Sequence, residues 1–195
     1  RVSLVAFGHA AQDALLDGTP VGAIAADLSP QSANDSLTDL TKAVKLRTNA
    51  NTSFIGTQKN GPFDVPGAQA RYWLTQPNPH GLSNARVLRP WINGIGVTRR
   101  AEDSWIIDFG KMKESDASLF ELPFLHVIRE VKPTREDLRR DWHRTHWWCH
   151  GDPRPAMKDA MASLTRTIIT PRVSKHRVFA WFSSQVLPDS AVAAI

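Results

Sequence analysis

The sequence is poor in cysteine and has no long apolar run. Its one cysteine, Cys149, excludes an internal disulfide and a cysteine-built metal centre. A lone thiol suits a reducing compartment, so the cytoplasm is the expected address. No stretch approaches the roughly 18 uninterrupted apolar residues of a membrane span. The first residues, Arg1 to Ala11, lack the small-residue cleavage site of a signal peptide. A membrane partner is therefore not expected.

Common catalytic signatures are missing as well. There is no Gly-x4-Gly-Lys-Ser/Thr phosphate loop, and Gly94-Ile95-Gly96 lacks the third glycine of a dinucleotide fingerprint. Glu130-Val131-Lys132 has the local form of a metal nuclease's Glu-x-Lys, but Pro188-Asp189 follows it instead of preceding it, and chance explains the match. His143, His146, Cys149 and His150 invite a zinc reading. On one helix, however, His143 and His150 stand about 10 Å apart along the axis, against metal bonds near ~2 Å. A basic helical face is the better account, and neither a catalytic group nor a metal is expected in this chain.

What is present is ordinary globular composition with an uneven charge. Apolar residues make up 42% of the 195 and charged residues 22%, enough to bury one core without staples. The net charge is +5 and the pI about 9.7. Residues 1–65 hold five basic and six acidic side chains, whereas residues 129–177 hold twelve basic and six acidic. Five of the seven histidines also fall between His126 and His176. A polyanion site is expected in that second stretch.

The pattern of elements predicts an α+β fold, a mixed sheet with several short helices. Val2 to Phe7 and Val21 to Ala26 read as strands, with Asp17-Gly18 as a hairpin turn after Leu15-Leu16. Polar residues Ser29 to Asp39 read as a linker, placing a domain boundary near residue 30. Beyond it, a strand is predicted at Ser53–Gly56 and a tight turn at Asn60-Gly61. Pro66 is read as opening a short helix, and Trp105–Phe109 as a buried strand closed by Gly110. Phe120, Phe124, Val127, Ile128 and Val131 recur at helical spacing, with Pro123 expected to break the helix.

The next helix is predicted from a capping-box-like start at Pro133-Thr134 and Asp137 to a stop at Gly151. Leu138, Trp142, Thr145 and Cys149 would form its packing face. Arg135, Arg139, His143, His146 and His150 would form a basic stripe within roughly 80° beside it. Trp91, Trp105, Trp142 and Trp148 are expected in the core, with Trp147 on the opposite side of the helix. A short helix from Pro153 or Pro155 through Met161 and two strands, Thr167–Val173 and Val178–Ser183, complete the pattern. Both ends fall inside apolar strand-like runs, so the chain reads as a piece of a longer protein.

Three groups of motifs then carry a family resemblance. They are Gly56-Thr-Gln-Lys-Asn-Gly61 with Leu88-Arg-Pro-Trp-Ile-Asn-Gly94 and Thr98-Arg-Arg100; Trp105-Ile-Ile-Asp-Phe-Gly110 with Phe120-Glu-Leu-Pro-Phe124 and Val131-Lys-Pro133; and Trp147-Trp148, Arg154-Pro155 and Thr170-Pro-Arg-Val-Ser-Lys-His-Arg177. In this order and spacing the sequence resembles the target-recognition region of single-chain restriction–modification enzymes of the MmeI type, which carry an N6-adenine DNA methyltransferase. The resemblance implies that residues 1–30 are the last strands of a methyltransferase domain and that residues 31–195 are the first part of a truncated target-recognition domain. It also implies double-stranded DNA and the rest of the same chain as partners. The S-adenosylmethionine site and the Asn-Pro-Pro-Tyr loop would lie upstream, so no cofactor is expected here. Asn78-Pro79-His80-Gly81 is no substitute for that loop, lacking the second proline and the stacking aromatic, and reads as a turn.

Such a region must hold the duplex while a base is flipped out, with phosphate contacts positioning it and base-edge contacts specifying it. Arg172, Ser174, Lys175, His176 and Arg177, between two strands, are the expected DNA-contacting loop, or else an ordinary solvated hairpin. Arg99 and Arg100 suit backbone contacts, or ion pairs with Glu102 and Asp103. Arg135 and Arg139 suit phosphate contact or a solvated helix face. Asn93 can read adenine but, before Gly94, equally suits a turn. The alternative reading is a docking domain whose basic face meets an acidic protein partner.

Overall fold

Asp17 and Gly18 adopt positive φ, +50° and +81°, and fold Ala14–Leu16 (β1) back on Thr19–Val21 (β2) as an antiparallel hairpin. That is the turn these two residues favour. The structure, a computed structural model, describes residues 14–24, 29, 30, 43, 44 and 46–195. The strand expected at Val2–Phe7 and most of the linker expected at 29–39 lie outside the described residues. The chain divides into two compact units, Arg1–Ala50 and Asn51–Ile195. The hairpin belongs to the first.

The second unit is α+β, with two four-stranded sheets and short helices. One sheet runs in the order Phe54–Ile55 (β3), Val192–Ala194 (β10), Arg166–Pro171 (β7) and Ala180–Ser183 (β8), all antiparallel. The other runs Asp64–Pro66 (β4), Ser104–Ile107 (β6), Leu88–Ile92 (β5) and Leu187–Pro188 (β9). Its last pair is parallel, Trp91 opposite Leu187. β9 and β10 are consecutive, so the chain leaves one sheet and enters the other within a few residues. That corner is stitched by Thr57 donating to the Pro188 carbonyl at 2.8 Å, Ser190 to Thr57 at 2.9 Å and Gly56 to Val192 at 3.1 Å. Gly56 is required there: a Cβ would stand 2.1 Å from the Asp189 carbonyl oxygen.

Seven α-helices fill the connections: Gly67–Thr75 (α1), Gly94–Thr98 (α2), Glu114–Ala117 (α3), Glu121–Glu130 (α4), Lys132–Arg135 (α5), Asp141–Thr145 (α6) and Pro155–Ala162 (α7). Among the described residues no helix is long and apolar enough to cross a membrane. α1 starts after Pro66 as expected. α4 buries Phe124 and Val127 against Phe109 and Phe120, and this cluster with Phe63 and Ile106 forms the main core. Pro123 does not interrupt a helix. It sits in the first turn of α4, where an amide N–H would lack an intrahelical partner anyway, and the break falls earlier, after α3.

The helix predicted from Pro133 to His150 is not continuous. It is divided into α5 and α6 by Glu136–Arg140 and ends at Thr145. The expected packing face is therefore not formed: Leu138 and Trp142 are partly exposed, whereas Trp147 is buried with Trp148 and Cys149. The cause is long-range. Arg135 turns inward and fastens this segment to Lys59 and Asn60, which the local sequence pattern does not reveal.

Candidate nucleic-acid interface

β7 and β8 form a hairpin, Ile168 opposite Trp181, whose connection carries Arg172, Val173, Ser174, Lys175, His176 and Arg177. From Leu164 to Pro188 the sequence has four Lys and Arg residues and no carboxylate. This connection faces α2 across an open groove of about 790 Å³, lined by Asn93, Ile95, Thr98, Arg172, Lys175 and His176. Arg172 is anchored at the strand end, its amide donating to Ala191 and its guanidinium Nη1 to Ser190, both at 2.9 Å. The Ser174 hydroxyl donates to the His176 carbonyl and so braces the loop. The Lys175 and Arg177 side chains, exposed, have no partner among the described residues. The carboxylate of Asp189, which also lines the groove, accepts from the Ala191 amide at 2.8 Å.

Across the groove, Asn93 caps α2. Its Oδ1 accepts from the Gly96 amide at 2.8 Å, leaving the side-chain amino group toward solvent. The turn reading of Asn93 is the one seen: the oxygen that a bidentate adenine contact would need serves the cap. Arg99 and Arg100 follow α2 and are exposed, with no ion pair among the described residues. Asp103, one of their expected partners, is instead held by Arg71 at 2.6 and 2.9 Å. Arg100 lines a smaller recess beside α2 with Trp91 and Glu102. Arg172, Ser174, Lys175, His176 and Asn93 therefore share one groove, with Arg99 and Arg100 at the far end of its α2 wall.

The basic stripe expected on the 133–150 helix is not assembled. Arg135 is fully buried, and its guanidinium donates to the carbonyls of Asn60 at 2.9 and 3.2 Å, Lys59 at 2.9 Å and Cys149 at 2.9 Å. Phe63 lies under it, 5.2 Å from ring centroid to guanidinium. All its donor groups serve the fold, so the expected phosphate contact is corrected to a structural role. Arg139 is exposed, beside Arg140, over an open recess of about 550 Å³ bounded by Asn60 and His143. His143 itself is buried, and burial, followed by the nearby Arg135 and Arg140 charges, pushes its pKa down.

A third group of polar side chains is internal. Lys158 Nζ lies 2.6 and 2.7 Å from the two oxygens of Asp108, whose Oδ1 also accepts from the Gly110 amide at 3.0 Å. Burial works against the charge on Asp108, but the Lys158 ammonium and the Lys158 and Gly110 hydrogen bonds outweigh it and hold the carboxyl below its usual range. His150, whose Nδ1 is 3.7 Å from Asp108, donates from Nε2 to the Ile107 carbonyl at 2.8 Å. Burial pushes its pKa down to about 4, so it is a neutral imidazole at neutral pH and no ion-pair partner. This cluster leaves no local signature, because its other members are 42 and 50 residues from Asp108.

Among solved structures, this geometry has a counterpart in one described as the type IIL restriction–modification enzyme MmeI in complex with DNA, with a TM-score of 0.55. The chain shares a fold with part of that enzyme. Identity is 12%, and the superposition covers 74% of this chain but 19% of the other, so the likeness spans about a fifth of that enzyme's length. At that identity the likeness is one of fold. No family model matches the sequence, and no curated protein matches it.

Proposed function

We propose that this chain is the DNA-binding, target-recognition part of an N6-adenine DNA methyltransferase of a restriction–modification system, working in the cytoplasm. It holds duplex DNA in register while a catalytic part of the same protein flips and methylates a base. S-adenosylmethionine and the methyl transfer belong, on this reading, to that catalytic part, whose motifs the present sequence does not carry. One observation supports the reading most: the carboxylate-free β7–β8 hairpin carries Arg172, Lys175, His176 and Arg177, and the first three line a solvent-open groove with the Asn93 cap. The fold shared with a DNA-bound restriction–modification enzyme supports it independently.

The loop offers what a groove reader needs. Lys175 and Arg177 supply charge-assisted donors for phosphates or guanine edges, and the free amino group of Asn93 suits an acceptor on a base. Because phosphate contacts release counterions, binding should be micromolar or weaker at physiological salt and fall steeply as salt rises. Fluorescence anisotropy with a labelled duplex tests this. Salt-sensitive binding that weakens in Arg172→Ala and Lys175→Ala is expected; no binding at low salt, or binding indifferent to salt, rejects the reading.

A further inference from the structure

A second solvent-open cleft lies apart from the groove, where α6 meets the turn before α3. Its volume is about 430 Å³, within the range of small-ligand sites, and its walls include Lys111, Met112, Lys113, Trp142 and His146. We propose that this cleft binds a nucleotide, the base stacked on Trp142 and the phosphate held by Lys111 and Lys113. The inference goes beyond the DNA-holding role of the hairpin and does not depend on it.

Three observations carry it. First, Trp142 is held rigid while 41% exposed: His146, one turn on, stacks on it at 3.7 Å with planes 13° apart, and His146 in turn rests against Trp148 at 5.5 Å. Thr145 Oγ1, 2.9 Å from His146 Nδ1, fixes the imidazole. One ring face is thus supported, and the surface left open offers a base a preformed partner at little entropic cost. Second, the lysine-bearing turn is pinned to the same aromatic group. Trp148 Nε1 donates to the Met112 carbonyl at 2.9 Å, and the Met112 amide donates to Phe109 at 3.0 Å. Third, the cleft is cationic: among the described residues neither lysine has an ion-pair partner, and Glu114 is the one carboxylate in the lining.

Aromatic stacking beside fixed cations is the chemistry that recognises a nucleotide, either free or extruded from a duplex. Calorimetric titration of the full chain with adenosine 5′-monophosphate and with adenosine separates base from phosphate. The monophosphate should bind more tightly than the nucleoside, and Lys111→Gln with Lys113→Gln should abolish that difference. Trp142→Ala should weaken the monophosphate roughly 5- to 150-fold, and Trp142→Phe should restore most of the loss.

In parallel, a duplex carrying one unpaired adenine is compared with its fully paired counterpart. Nucleotide binding lost in Trp142→Ala supports a free ligand; preference for the bulged duplex, lost in the same variant, supports an extrahelical one. If Trp142→Ala changes neither, or if neither probe is bound in preference to its control, the proposal is overturned. Trp142→Ala should leave thermal stability and paired-duplex affinity intact, so failure of the hairpin reading would show separately, as no paired-duplex binding by the unaltered chain.

Discussion

The Arg135 guanidinium grips the carbonyl of Asn60 with two donors, Nε at 3.2 Å and Nη2 at 2.9 Å, across 75 residues of sequence. Among the described residues no carboxylate balances the buried charge; backbone dipoles and the Phe63 ring do. Removing it takes the donors from the Asn60 and Cys149 carbonyls and leaves that of Lys59 with the Gly151 amide alone, at 3.2 Å. Arg135→Met should lower stability by about 3 kcal/mol or more, since hydrogen bonds to a charged group contribute roughly 1.5–3 kcal/mol each and add imperfectly. Urea unfolding measures this. A loss within about 0.5 kcal/mol, the scale of surface substitutions, would show the contact to be dispensable.

Gly56→Ala should be still more disruptive for its size. The new methyl would meet backbone, the Asp189 and Pro188 carbonyls, which cannot swing aside as a side chain can. The strands joined at that corner must separate, and the groove wall at Asp189 and Ala191 moves with them. Circular dichroism melting should show a clearly lower midpoint, with duplex affinity falling in parallel; an unchanged midpoint would mean the corner relaxes freely.

Acid should destabilise the second unit before its carboxylates titrate. His150 has a folded pKa near 4 against an ordinary 6.5, so the unfolded chain takes up the proton first as pH falls. Its contribution is fully present above about 6.5 and is lost as pH drops toward 4. One proton over that span corresponds to on the order of 3 kcal/mol. His143 and His126, whose pKa values are also lowered chiefly by burial, act in the same direction. His150→Gln should flatten the pH dependence of the urea midpoint between pH 7 and 4.5. A slope identical to the unaltered chain's would place the effect elsewhere.

The hairpin and the Arg139 recess make different predictions for salt. Each lost phosphate contact lowers the slope of log affinity against log salt by about 0.9. The double variant Arg172→Ala, Lys175→Ala should therefore reduce it by about 2 if both touch backbone. Arg139→Ala should reduce it by about 1 only if the duplex also reaches the recess beside Asn60. Equal slopes in all three proteins would detach these side chains from DNA.

What the sequence makes legible is local. Asp17-Gly18 sets its own hairpin through positive φ, Pro66 opens α1, and Arg172–Arg177 stand out as a cationic run between two strand patterns. What it conceals is settled by distant partners. The 133–150 segment has helical periodicity, yet Arg135 is drawn to the Lys59 and Asn60 carbonyls and the helix divides. Trp142 and Trp147 exchange the places that periodicity assigns them for the same reason. The parallel pairing of Trp91 with Leu187 also escapes, because it depends on a two-residue strand with no pattern of its own.

β8 is the last strand of its sheet, and beyond it nothing pairs with the chain among the described residues. Phe179 and Trp181, 61% and 59% exposed, stand along that border, and Arg166 covers one ring from 4.6 Å. An open border with bulky apolar side chains is a template on which another strand can register. The isolated chain should accordingly self-associate as it is concentrated, through the very hairpin that carries the cationic loop, so that crowding of the protein and the proposed engagement of duplex DNA would compete for one element.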